Sequence, residues 1–70
     1  MEDWKIELDN CINLHFKDYP YKGKEEIPEL TEFALDNIGH EEIISDEEKF
    51  KEAMEMLTTY FESPNNKIIE

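Results

Sequence analysis

Cys11 and His15 stand four residues apart, so on a helix they share one face. A thiolate and an imidazole so placed could hold half of a zinc site or pair as nucleophile and base. Both fall inside an apolar stripe, however, where cysteine behaves as a small hydrophobe and a neutral histidine needs only a hydrogen-bond partner. They are read as core residues. The other histidine opens His40-Glu41-Glu42-Ile43-Ile44, which begins like a zinc-protease signature but has Ile44 where the second histidine is required. The stretch from Asp36 to Glu47 has the length of a calcium loop, yet Glu41 occupies the position that needs glycine. Gly23 and Gly39 are the only glycines, so no phosphate-cradling loop is available, and Ser45 and Ser63 sit in no nucleophile motif. No catalytic, cofactor-binding or metal-binding residue is expected, and the chain is read as non-enzymatic.

The acids carry a different kind of chemistry. The net charge is -12, from 19 acidic residues against seven lysines and no arginine. Between Glu25 and Glu48 there are ten acids and no base: Glu25, Glu26, Glu29, Glu32, Asp36, Glu41, Glu42, Asp46, Glu47 and Glu48. Two readings stand. A solvated acidic face keeps a small domain soluble. A concentrated negative field instead steers a basic partner and orients it. So strong an acidic balance argues against direct contact with nucleic acid or anionic lipid, which require cationic side chains. The lysine-rich stretch Lys17-Asp18-Tyr19-Pro20-Tyr21-Lys22-Gly23-Lys24 could grip a phosphate backbone. It is read as an ordinary loop whose lysines complement a helix C-terminus.

Helices must position these residues. Trp4, Leu8, Cys11, Ile12, His15 and Tyr19 recur in steps of three and four, which predicts a helix over 3–17 with Pro20 just beyond its end. Leu14 and Phe16 flank that stripe on opposite sides, and Ile6 points away. A second helix is expected over 28–38, opening on Pro28 and capped by Gly39. Its stripe is Ile27, Leu30, Ala34 and Ile38. Phe33 and Leu35 lie on either side and cannot both sit at its centre. The third helix, 46–62, is announced by Ser45-Asp46-Glu47-Glu48, read as a capping box with Ser45 as the cap and Glu48 answering it. Phe50, Ala53, Met54, Leu57 and Phe61 then keep one face. The pair Ile43-Ile44 must pack as an extended stretch or an early helical turn, and the tail 63–70 has no assigned conformation. Nothing alternates with period two. The predicted fold is all-α, a single-domain three-helix bundle with short loops.

With 70 residues, the chain has room for a core of modest stability but little volume for an enclosed substrate pocket as well. One cysteine and an acidic N-terminus without an apolar leader predict a cytoplasmic setting. The expected function is a protein–protein interaction module, a small inhibitor or regulatory adaptor. It docks a basic protein through Glu25, Glu26, Glu29, Glu32, Asp36, Glu41 and Glu42, with Phe33, Leu35 or Trp4 as apolar anchor. One alternative is a homodimer or larger assembly that completes its core through the wide apolar arcs of the first two helices. A second is an inhibitor whose carboxylates stand in for the phosphates of nucleic acid.

Overall fold

A computed structural model describes residues 3–62. Three α-helices, α1 (Asp3–His15), α2 (Ile27–Asn37) and α3 (Glu47–Glu62), form a small bundle with no strand among the described residues. Single 3₁₀ turns, Lys24–Glu26 and Glu41–Ser45, lead into α2 and α3. The tail 63–70 lies outside the described residues.

Side-chain pairings give the helix directions. Glu7 on α1 reaches His40 beyond the end of α2, while Phe16, just past α1, meets Phe33 within α2. Partners descend as α1 ascends, so the two helices are antiparallel. Lys5 pairs with Glu52 and Phe16 with Phe61, so α1 and α3 run the same way. The bundle is therefore up-down-up.

Each helix buries one stripe. Trp4, Leu8, Cys11 and Ile12 of α1 join Phe16, then Ile27, Leu30, Ala34 and Leu35 of α2, Ile43 of the second 3₁₀ turn, and Ala53 and Leu57 of α3. The undecided Ile43-Ile44 pair is helical: Ile43 is only 2% exposed, and the turn closes where Asp46 N–H donates to the Ile43 carbonyl at 3.0 Å. Gly39 ends α2 at φ 80°, with His40 N–H donating to Leu35 and Gly39 N–H to Asp36. Those two bonds make a Schellman cap, whose left-handed residue favours glycine.

The structure overturns four expectations. α1 stops at His15, and His15 is exposed rather than buried beside Cys11. Of the adjacent positions 15 and 16, one can face the core, and the larger apolar ring, Phe16, takes it. Trp4, 6% exposed, lies in the core and is unavailable as an anchor. The cap of α3 is Asp46, not Ser45. Its carboxylate accepts from Lys49 N–H at 3.1 Å, because Ser45 is consumed by the turn that buries Ile43. Asp46→Ala is accordingly expected to cost about 1 kcal/mol in urea unfolding and Ser45→Ala a few tenths at most.

Tyr21, in the α1–α2 connection, latches the other end. Its ring stacks on Phe61 at 4.4 Å between centroids, and its hydroxyl donates to the Glu62 carboxylate. Burial and that carboxylate push the Tyr21 hydroxyl up to about 12.

Candidate interaction surface

The outward face of α2 carries Glu29, Glu32, Phe33 and Asp36, spaced i, i+3, i+4 and i+7 and so aligned on one side of the helix. The opposite side buries Ile27, Leu30, Thr31, Ala34 and Leu35. Thr31 is fully buried, and its hydroxyl donates to the Ile27 carbonyl oxygen at 2.7 Å, so it packs as an apolar residue. That choice rotates the buried stripe towards Leu35, which is 0% exposed, and leaves Phe33 51% exposed. Leu35 is therefore a core residue and not an anchor.

Phe33 forms a ridge between two open grooves. On one side, a groove of about 430 Å³ is lined by Glu29, Glu32, Asp36, Glu41, Ile44 and Ser45 together with Phe33. On the other, a groove of about 410 Å³ is lined by His15, Phe16, Tyr19, Glu29, Leu30 and Phe33. The Phe33 ring centroid lies 6.1 Å from that of Phe16 and 6.4 Å from that of His15, the latter pair perpendicular at 89°.

Among the described residues, no ion pair joins a cation to the acids on this ridge. The ion pairs described are Lys5–Glu52, Lys24–Glu62, His40–Glu7 and His40–Glu42. None reaches Glu29, Glu32, Asp36 or Glu41. Crowding among these acids shows in Glu41, whose carboxyl is held above the usual range, chiefly by a hydrogen bond with Asp36 and the adjacent negative charge. A cation brought to this cluster would relieve the repulsion between its negative charges.

The remaining predicted residues lie elsewhere. Glu26 accepts from the Tyr19 hydroxyl at 2.9 Å, which raises Tyr19 and ties Glu26 to the second groove. Glu25 is exposed in the 3₁₀ turn and lines neither groove. Glu42 is drawn away by His40, and that hydrogen bond lowers its pKa. Asp46, Glu47 and Glu48 sit at the start of α3 and favour its helix dipole. The ten-acid run thus divides among the first 3₁₀ turn, a ridge, a histidine clamp and a helix start. His15, Phe16, Tyr19, Ile44 and Ser45 are groove residues that sequence reasoning did not place there. Antiparallel pairing of α1 with α2 brings the first three to Phe33, across a gap in sequence that no local spacing reveals.

His40 lies with Nε2 3.2 Å from Glu7 and Nδ1 3.0 Å from Glu42. Only the imidazolium donates to both carboxylates. The Glu42 hydrogen bond is the main cause of a raised His40 pKa. A raised folded-state pKa stabilises fully below the unfolded value of about 6.5 and ceases to do so as pH rises through the folded value. The unfolding midpoint of the parent chain should therefore exceed that of His40→Gln by more at pH 5.5 than at pH 8.

Comparison with protein-family models, with curated proteins and with solved structures finds no match to this chain. None of the described helices is long and apolar enough to cross a membrane.

Proposed function

We propose that this chain is a non-enzymatic interaction module that docks a basic protein surface on the Phe33 ridge. The observation that carries the reading is a half-exposed phenylalanine flanked by Glu29, Glu32, Asp36 and Glu41, acids that no described ion pair neutralises. A large aromatic ring within a charged rim has the anatomy of an interface hot spot: the ring supplies affinity and the rim supplies encounter rate and orientation. Leaving such a ring in water costs hydrophobic free energy that a partner's surface recovers. Inhibitors and regulatory adaptors both work by occupying a partner in this way.

Charge-matched variants separate docking from mere solubility. One removes the ridge charges (Glu29→Gln, Glu32→Gln, Asp36→Asn, Glu41→Gln). A control removes four charges elsewhere (Asp9→Asn, Glu47→Gln, Glu48→Gln, Glu55→Gln). In affinity capture from extract of the source cells, a specific partner should be held by the parent and the control and lost by the ridge variant. Equal retention by both variants contradicts the proposal and leaves the acids as a solubilising face.

A further inference from the structure

We propose that the groove between the end of α1 and α2 receives an arginine side chain of the docked protein. The inference rests on the docking reading above and specifies which side chain enters and where. The groove has aromatic walls, with the Phe16 and Tyr19 rings at 5.7 Å and 72° and the Phe16 and Phe33 rings at 6.1 Å and 50°. Leu30 contributes an apolar lining, and the His15 ring lies perpendicular to that of Phe33. Tyr19 also lines the groove, and its hydroxyl donates to Glu26. Glu29 is common to both grooves and has no cationic partner among the described residues.

A neutral apolar group would satisfy the rings and leave Glu29 beside a desolvating neighbour. An ammonium would satisfy Glu29 but offers no plane to stack. A guanidinium does both: its face stacks on an aromatic ring while its N–H fork addresses a carboxylate in bidentate fashion. Charge complementarity thus selects the occupant. These 70 residues contain no arginine, so a second copy of them does not supply it, and the side chain comes from a different protein. At about 410 Å³ the groove falls within the size range of ligand clefts, ample for a side chain of this length.

The test compares octa-arginine with octa-lysine, probes of equal charge, by NMR titration at about 0.15 M ionic strength. Octa-arginine should bind about 5-fold more tightly than octa-lysine and should shift the ring protons of Phe16, Tyr19 and Phe33. Phe33→Leu and Tyr19→Leu, both at exposed positions, should abolish that preference while leaving the salt dependence intact. Glu29→Gln should weaken octa-arginine more than octa-lysine. Equal affinities, with shifts confined to Glu32, Asp36 and Glu41, overturn the arginine groove and leave the docking ridge standing. Binding of neither peptide, or binding indifferent to the ridge variant, overturns both.

Discussion

Leu35→Ala should lower the free energy of unfolding by about 2–5 kcal/mol, whereas Phe33→Ala, two residues away, should change it by less than about 1 kcal/mol. Both remove a large apolar side chain from α2, yet Leu35 is fully enclosed and Phe33 is half in water. Deleting Leu35 forfeits its burial and leaves a cavity in the core cluster to which Leu8, Ile12, Ile43 and Leu57 also belong. Small domains commonly have about 5 kcal/mol of stability in total, so a loss at the upper end of that range would leave the Leu35 variant partly unfolded at room temperature. Urea titration followed by far-ultraviolet circular dichroism measures both. A Phe33 variant as unstable as the Leu35 variant would show that the ring belongs to the core and is not held for a partner.

The second large effect lies in binding. Phe33→Ala should weaken the captured partner about 30-fold or more, mainly through faster dissociation, as expected of an aromatic hot spot. Amide substitution at Glu29, Glu32, Asp36 and Glu41 should instead slow association and flatten its dependence on salt. Surface plasmon resonance at two ionic strengths resolves the two behaviours. A folded Phe33→Ala chain that dissociates at the parent rate removes the anchor from the proposal. Rim variants that associate at the parent rate remove the steering.

Much of the architecture was legible from residue spacing. The α2 and α3 boundaries fall within a residue of those expected, and Pro28, Gly39 and the period of the apolar residues explain why. Failures cluster where two neighbouring residues compete for one position. His15 and Phe16 compete at the end of α1, Phe33 and Leu35 on α2, and Ser45 and Asp46 at the α3 cap. Local pattern leaves each contest undecided; tertiary packing resolves it. Thr31 is the instructive case. Read as polar, it hides the register of the α2 stripe; with its hydroxyl bonded to the Ile27 carbonyl, it enters the core and turns Leu35 inward and Phe33 out. The acidic rim was legible as a charge run. Its division among the first 3₁₀ turn, the ridge, His40 and the α3 start depends on contacts between elements, such as Glu7 with His40, that sequence spacing does not encode. The aromatic groove was hidden for the same reason.

Photo-crosslinking inside the source cells tests the docking claim most directly. A photoreactive phenylalanine analogue replaces Phe33 in one chain, and Ile6 or Thr59, exposed positions on α1 and α3, in two controls. Position 33 should give one dominant heavier adduct with a different protein, and positions 6 and 59 little or none. Equal adducts from all three positions, a self-linked dimer, or no adduct at 33 would contradict it.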